Sequence, residues 1–239
     1  MREASQDQYG GPEVVLLRDV AMPVPGEGEV LVEVRAASLT LADAAFRQAK
    51  PFITRFFSGL FRPRRLILGS EFSGVVVATG PGANRFSVGD AVFGCCGSGF
   101  GAHREYLAFK QDGVLAPKPA ELSHAGAAGL AYSFLTAMPF LRDEARLQGG
   151  QRILINGASS SVGAIAIQLA RHMGAHVTAV TSGRNVAFAE AQGADKTIDY
   201  GAEDFTQAVA EYDVIFDAVG KSSFRRCRGA LKPTGIYLT

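Results

Sequence analysis

Cysteine is scarce in this chain of 239 residues, which contains only Cys95, Cys96 and Cys227. Two of the three are adjacent, so they have neither the spacing of metal ligands nor the number that a disulfide framework needs. Scarce cysteine without such a framework is typical of the reducing cytosol, and we predict a cytoplasmic location.

An excess of charge of one sign is lacking too. The formal net charge is +1. Nucleic-acid binding needs concentrated positive charge, so nucleic acid is excluded as the main partner. No run of about eighteen apolar residues occurs, and the sequence therefore contains no candidate membrane-spanning helix. Hydrophobic residues still make up 47% of the chain, which is enough apolar material for a large core.

Residues 1–118 have the pattern of β structure. Short apolar segments alternate with turns rich in glycine and proline, which predicts a compact barrel-like domain. From residue 119 to 239 predicted strands alternate with helical patterns, which predicts a parallel, doubly wound α/β sheet. The strands expected in the first part are 30–35, 74–78, 88–93 and one that follows 99–106; those in the second are 151–156, 175–181, 196–199, 212–217 and 235–239.

The segment from Ile153 to Gly163 is the centre of the second domain. It passes from an apolar strand through small residues into a helix whose buried face is predicted to contain Val162, Ile165, Ala166, Leu169 and Met173. In a dinucleotide-binding fold such a turn brings backbone N–H groups and a helix N-terminus to a pyrophosphate. The positions of the usual G-x-G-x-x-G fingerprint are Ala158, Ser160 and Gly163, so one glycine of three is present. The alternative is an ordinary strand-to-helix turn.

Five motifs, in this order along the chain, resemble those of the medium-chain dehydrogenase/reductases, in the zinc-free quinone oxidoreductase (zeta-crystallin-like) branch. They are GSEFSGVV (69–76), FSVGDAVFG (86–94), GFGAHREY (99–106), INGASSSVG (155–163) and LKPTG (231–235). The resemblance implies a GroES-like catalytic domain over residues 1–118, a Rossmann domain over residues 119–239, and a substrate held between them.

Zinc separates the reaction classes within this family. Zinc-dependent relatives supply a cysteine from the segment equivalent to residues 36–40 and a histidine from a G-H-E triplet, which here is Gly69-Ser70-Glu71. A catalytic zinc needs three protein ligands, and only Glu71 remains. The histidines are scattered, at His103, His124, His172 and His176. We therefore predict no metal.

Hydride addition to a quinone or an enone is feasible without a Lewis acid, because conjugation spreads the developing negative charge. Hydrogen-bond donors near the substrate oxygen then suffice. The resemblance implies Thr40, Asp43 and Tyr132 as catalytic candidates, and it places Thr136 near the nicotinamide. Thr40 replaces the family's asparagine, and Ala131 replaces the proline that precedes the tyrosine. A tyrosine packed in the core is the alternative for Tyr132.

The predicted cofactor is NADPH. NAD enzymes place an acidic residue after the second strand, whereas this chain has Thr181-Ser182-Gly183-Arg184-Asn185 there, with no carboxylate to repel a 2′-phosphate. Arg184 would pair with that phosphate; an exposed arginine at a helix start is the alternative. The resemblance adds Tyr200 and the loop Ala218-Val219-Gly220. The full set of predicted cofactor-binding residues is Thr136, Ala158, Ser159, Ser160, Ser161, Val162, Gly163, Ser182, Arg184, Tyr200, Ala218, Val219 and Gly220.

The segment Phe46–Leu66 interleaves aromatic and basic residues without any acidic one. Two interpretations stay open, namely a peripheral contact with a membrane and a flap over an apolar substrate. Its members are Phe46, Phe52, Phe56, Phe57 and Phe61 with Arg47, Lys50, Arg55, Arg62, Arg64 and Arg65.

The function predicted from these observations is an NADPH-dependent, zinc-free reductase of quinones or α,β-unsaturated carbonyl compounds, acting on a small apolar substrate. The alternatives are an enoyl-thioester reductase and a non-catalytic NADPH-binding protein.

Family members continue beyond the fifth Rossmann strand, which residues 236–239 are expected to begin after a helix end and turn at residues 231–235. We therefore expect a Rossmann sheet truncated at that strand, with an apolar edge left unpaired. Such an edge predicts self-association into a homo-oligomer, reduced stability and weak catalysis.

Overall fold

The computed structural model describes residues 1–64 and 66–239. They form two compact units, Met1–Tyr132 and Ser133–Thr239. The two compact units divide after Tyr132, inside a helix. The domain boundary after Lys118 stays a prediction. None of the helices formed by the described residues is long and apolar enough to cross a membrane.

The first unit contains a five-stranded antiparallel sheet and a separate two-stranded one. Along the larger sheet the strand order is β6-β3-β4-β5-β7, and β1 pairs with β2. Its core consists of side chains with no exposed surface, such as Val30, Val32 and Phe72. The strands are β1 Arg2–Ser5, β2 Leu16–Asp19, β3 Glu29–Ala37, β4 Glu71–Thr79, β5 Ala91–Cys95, β6 Tyr106–Lys110 and β7 Leu115–Pro117, and the helices are α1 Leu41–Gln48, α2 Thr54–Ser58 and α3 His124–Ala128.

One predicted strand of this unit begins later than expected. Residues 88–90 form a turn, and β5 starts only at Ala91. The N–H of Ser87 donates to the Asp90 carboxylate at 2.8 Å, and the N–H of Asp90 donates to the carbonyl of Ser87 at 3.1 Å. These two bonds close a turn through Gly89, whose φ of +98° suits only glycine.

The second unit is a parallel sheet of five strands in the order β10-β9-β8-β11-β12. The first four strands along the chain match their predicted bounds to within one residue, and the apolar runs of β8, β9 and β11 are buried almost throughout. The elements are α4 Ala131–Pro139, a π-helical turn Phe140–Glu144, β8 Arg152–Asn156, α5 Ser161–His172, β9 His176–Thr181, α6 Val186–Ala191, β10 Lys196–Asp199, β11 Tyr212–Asp217, α7 Phe224–Cys227 and β12 Leu231–Leu238.

Helix α5 packs on this sheet through the predicted face. Val162, Ile165, Leu169 and Met173 lie against the core, and Ala166 is completely buried within it. The strand, turn and helix of the nucleotide-binding unit are therefore present in the predicted order.

The last strand departs from prediction. Residues 231–235, expected to be a helix end and turn, are the first part of β12. Tyr212 pairs with Leu231, and Val214 pairs with Ile236. Between these two pairs the chain advances by two residues in β11 and by five in β12, so β12 contains extra residues. The extra residues include Pro233, which has no N–H to donate to the neighbouring strand. The expected turn is therefore a bulge within a strand.

Candidate functional site

The loop between β8 and α5 is built around two glycines. Gly157 has a φ of +79°, and a Cβ there would lie 2.5 Å from a methyl group of Val219. A Cβ on Gly163 would lie 2.3 Å from the carbonyl oxygen of Gly157. The two fingerprint positions that lack glycine have other roles, because Ala158 is buried in the core and Ser160 caps α5. The glycines that this loop requires are therefore Gly157 and Gly163.

The N-terminus of α5 presents backbone donors at the end of the sheet. Ser160 Oγ accepts the N–H of Gly163 at 3.1 Å, and the carbonyl of Ser160 accepts the N–H of Ala164. Because the first N–H groups of a helix have no partner inside it, those of Ser161 and Val162 are left for an anion. The helix dipole adds about half a positive charge at the same place. This geometry suits a phosphate group.

Hydroxyl and amide groups gather where β8 and β9 end. Ser159 Oγ accepts hydrogen bonds from Thr181 Oγ1 and from Asn185 Nδ2, both at 3.0 Å. Asn185 Nδ2 also donates to Ser182 Oγ at 3.2 Å. The predicted residues Ser159 and Ser182 are thus brought together, and Asn185 joins them.

A cavity of about 710 Å³ opens beside this loop. Of the predicted cofactor-binding residues, Ser159, Ser160, Tyr200 and Val219 line it. The others do not: Arg184 is exposed on a short turn, and the rest belong to the flanking loops and helices. Further lining residues are Asn156, Gly157, Glu203, Asp204, Phe205, Lys221 and Arg226.

Two cationic residues that line the cavity, Lys221 and Arg226, were not predicted from the sequence. Lys221 lines it directly after the predicted loop Ala218-Val219-Gly220. Arg226 lies 3.7 Å from the Asp204 carboxylate, whose pKa is held low chiefly by the hydrogen bonds that it accepts from Thr206. Proximity to the end of β11 is the sequence signal that would have pointed to Lys221.

A carboxylate also stands near the predicted 2′-phosphate site, contrary to the expectation that none was available. A Cβ on Gly183 would lie 2.6 Å from Asp199 Oδ2. Asp199 ends β10 and pairs with Thr181 at the end of β9. The prediction considered only the residues that follow β9, whereas sheet pairing brings in a side chain from the neighbouring strand.

Buried Asp217 holds the loop that follows β11. Its carboxylate accepts hydrogen bonds from Asn156 Nδ2 at 2.9 Å, from the N–H of Ser222 at 2.6 Å and from the Tyr237 hydroxyl at 3.1 Å. Burial, followed by the charge of Asp217, raises the pKa of Tyr237 to about 12, so this phenol remains a donor at neutral pH. The network fixes the predicted loop Ala218-Val219-Gly220 relative to β8.

In the first unit Thr40 and Asp43 form a capping box at the start of α1. Asp43 Oδ2 accepts the N–H and the hydroxyl of Thr40, both at 2.7 Å, and Asp43 Oδ1 accepts the N–H of Gly69 at 2.9 Å. Asp43 is 1% exposed. Both residues thus have a structural role, and their catalytic role stays a prediction.

Glu71 links Tyr132 to the sheet of the first unit. Its buried carboxylate accepts the Ser38 hydroxyl at 2.8 Å and the backbone N–H of Tyr132 at 2.7 Å. Tyr132 lies in the first turn of α4 and is 43% exposed. A buried carboxylate at a helix start is favourable, and it fixes the position of the predicted catalytic tyrosine.

The donors around Glu71 do not fit zinc. Serine hydroxyls stand at the two places where a zinc ligand was sought, with Ser38 in the segment 36–40 and Ser70 in the triplet 69–71. Cys95 pairs with Glu71 across the sheet, and burial raises the pKa of its thiol; burial with the neighbouring Cys95 raises the pKa of Cys96 to about 12. Within residues 1–64 and 66–239, no three His, Cys, Asp or Glu side chains are grouped to hold a metal ion.

Comparisons with known proteins cover both units. The family model for the alcohol dehydrogenase GroES-like domain matches residues 26–120, and the one for zinc-binding dehydrogenases matches residues 161–238. A quinone oxidoreductase of Pseudomonas aeruginosa is 33% identical, over 97% of this chain and 70% of that protein. The chloroplastic NADPH-dependent alkenal/one oxidoreductase of Arabidopsis thaliana is 34% identical, over 89% of this chain and 55% of that protein.

A solved structure agrees with these matches. The quinone oxidoreductase from Coxiella burnetii superposes with a TM-score of 0.84 at 33% identity, covering 99% of this chain and 74% of that one. The chain therefore belongs to the medium-chain dehydrogenase/reductase superfamily, in its quinone oxidoreductase branch. The predicted family and fold class, a GroES-like domain followed by a Rossmann sheet, are confirmed, and the second unit is of the type that binds a nicotinamide cofactor.

Proposed function

We propose that this chain is an NADPH-dependent, zinc-free reductase of quinones or α,β-unsaturated carbonyl compounds. The observation that carries the proposal is the loop of Gly157 and Gly163 against the N-terminus of α5, beside the cavity. Two relatives support the reaction class, one named as a quinone oxidoreductase and one as an alkenal/one oxidoreductase.

The residues that would hold the cofactor are those of the cavity and its loop. The N–H groups of Ser161 and Val162 would bind the pyrophosphate, because they are unpaired helix-start donors. The apolar surfaces of Tyr200 and Val219 would pack against the adenosine. When bound, the cofactor supplies the hydride.

The choice of NADPH rests on cations. Arg184 follows β9 and Lys221 lines the cavity, while the second cation of the cavity, Arg226, lies 3.7 Å from the Asp204 carboxylate. A 2′-phosphate forms strong charge-assisted hydrogen bonds with such groups. The Asp199 carboxylate opposes this preference and would lower the discrimination against NADH.

The reduction needs a donor for the substrate oxygen, where negative charge develops. In the first unit, the Thr40 hydroxyl donates to the Asp43 carboxylate, and Tyr132 is 43% exposed, with its backbone N–H donating to Glu71. We therefore assign the role of donor to Tyr132, with Glu71 as the residue that positions it.

Oxidation of NADPH, followed by its absorbance with quinones, enones and enoyl thioesters in turn, tests this function. Turnover with quinones or enones is expected. Selective turnover of thioesters would identify an enoyl reductase instead, and tight binding without any turnover would identify a non-catalytic binder. Tyr132→Phe should lower kcat while leaving NADPH affinity and thermal stability near wild type; unchanged kcat would remove Tyr132 from the mechanism.

A further inference from the structure

Helix α2 buries its polar side chains and exposes its apolar ones, the reverse of the usual arrangement. Its small polar residues are buried, with Thr54 at 8% and Ser58 at 2% exposure, whereas Phe56 and Phe57 are 68% and 75% exposed. The Ser58 hydroxyl donates to the carbonyl of Thr54 at 2.9 Å and lies 2.8 Å from the hydroxyl of Tyr9. Polar bonds therefore anchor the inner side of α2, and its apolar side is directed outward.

The exposed apolar residues extend beyond the helix. We call the set Phe52, Ile53, Phe56, Phe57, Leu60 and Phe61 the aromatic face. Phe52 and Phe56 are in ring contact at 6.2 Å, and Phe61 is 84% exposed. Phe52, Ile53, Phe56 and Phe57 have spacings of three and four residues, which places them on one side of the helical segment, and Leu60 and Phe61 follow its end. Exposed clusters of this kind mark interaction surfaces in proteins.

Every charged residue in the part of the sequence that contains the aromatic face is basic. Between Asp43 and Glu71 the sequence contains six basic residues and no acidic one, while the whole chain has a net charge of +1. The described members are Arg47, Lys50, Arg55, Arg62 and Arg64, and Arg65 lies outside the described residues.

One of these cations is held firmly in the surface. The Arg55 guanidinium lies over the rings of Tyr9 and Phe52, at 4.9 and 5.6 Å, and donates to the carbonyl of Leu60 at 3.2 Å. An acidic group near this region is Asp7, whose pKa is lowered mainly by its hydrogen bond from Arg18 and in part by the charge of Arg62. Since Arg18 pairs with Asp7, the surface keeps its positive character.

We propose that the aromatic face docks onto an anionic lipid membrane, with the phenylalanines at the boundary of headgroups and acyl chains and the cations among the lipid phosphates. Such a boundary offers hydrocarbon beneath a layer of negative charge, which matches exposed aromatic rings in a segment whose only charged residues are arginine and lysine. The inference is independent of the proposed reaction, although a membrane is also where apolar quinones partition.

Sedimentation with lipid vesicles tests the proposal. The protein should bind vesicles of phosphatidylcholine with phosphatidylserine, and bind pure phosphatidylcholine vesicles far more weakly. Raising the salt from about 0.1 M to about 1 M should release most of it, because screening shortens the range of the attraction.

Two pairs of variants separate the contributions. Arg62→Glu with Arg64→Glu should weaken binding at least about 25-fold, since each cation removed contributes about fivefold and each added carboxylate is repelled by the anionic surface. Phe56→Ser with Phe57→Ser should weaken it more than tenfold, since buried phenylalanine contributes strongly. Matched controls outside the segment, Arg225→Glu with Arg228→Glu, and Val24→Ser, change equally exposed residues and should bind like wild type.

Several results would overturn the proposal. The first is the absence of binding to anionic vesicles at low salt, and the second is equal binding to neutral and anionic vesicles. The third is a loss of turnover with a water-soluble quinone in the phenylalanine variant without any effect on vesicle binding, which would identify a substrate flap. The fourth is a shift of wild type, but not of that variant, to a dimer on size exclusion without vesicle binding, which would identify a protein interface. Thermal melts of all variants verify that they are folded.

Discussion

Replacing Gly163 by alanine should separate nucleotide binding from folding, because the chain contains a matched control at Gly126. Each glycine is the third residue of a helix that begins with a serine cap, and each donates its N–H to that serine at 3.1 Å. A Cβ on Gly126 would meet only the Ser123 hydroxyl, at 3.4 Å. A Cβ on Gly163 would lie 2.3 Å from a backbone carbonyl oxygen.

The expected magnitudes follow from that difference. Alanine is about 1 kcal/mol more favourable than glycine in a helix, so Gly126→Ala should be neutral or slightly stabilising. At Gly163 the same gain is offset by overpacking of about 1–3 kcal/mol. The overlap is about 1 Å, so α5 must move away from the loop by a similar distance. Losing one charge-assisted hydrogen bond to the pyrophosphate costs about 1.5–3 kcal/mol, which weakens NADPH binding more than tenfold.

Titration of NADPH, followed by its own fluorescence, measures this effect, and the absence of tryptophan from the chain keeps the protein background low. Thermal melts provide the stability of both variants. The reasoning is refuted if Gly163→Ala binds NADPH within about twofold of wild type. It is also refuted if Gly126→Ala loses affinity equally.

Three further predictions concern metal, cofactor choice and pH. Elemental analysis should find far less than one zinc per chain, and chelators should leave activity intact; stoichiometric zinc would contradict the mechanism. Arg184→Ala should weaken NADPH more than tenfold and NADH little, because a charge-assisted bond is lost, whereas Asp199→Asn should favour NADPH; equal shifts for both cofactors in titrations would sink the assignment. Burial is the main cause that lowers the pKa of His124, so its neutral form is favoured in the folded state and stability should fall as the pH drops below about 6.5. Melts of His124→Gln across that range should show a smaller decline, and an identical decline would contradict this.

Local patterns in the sequence were enough to predict the architecture of the second unit. The apolar runs of β8, β9 and β11 are buried almost throughout, and the helical spacing in α5 marks the side that packs on the sheet. The same reasoning was less accurate at β5 and β12. At β5 the Asp90 carboxylate closes a turn within the predicted strand, and at β12 the bulge around Pro233 lies within a strand because pairing with β11 occurs on both sides of it.

From the residues alone, the candidate site could be predicted where its members are neighbours in sequence, whereas Tyr200 and Val219 came from the family resemblance. The loop of Ser159 and Gly163 was found in this way, although the match of the fingerprint to Ala158 missed the role of Gly157. Asp217 and Lys221 were missed, although they flank the predicted loop Ala218-Val219-Gly220 at the end of β11.

Tertiary structure decided the remaining features, because each depends on groups far apart in the chain. Pairing of β9 with β10 brings Asp199 to Gly183, and the packing of the first unit brings Glu71 to the backbone of Tyr132. The sequence by itself determined which segments are apolar, which must turn and where positive charge is concentrated. Whether Phe56 is buried or exposed was decided by the fold, because the free energy of an apolar side chain depends on the surface that the rest of the chain leaves for it.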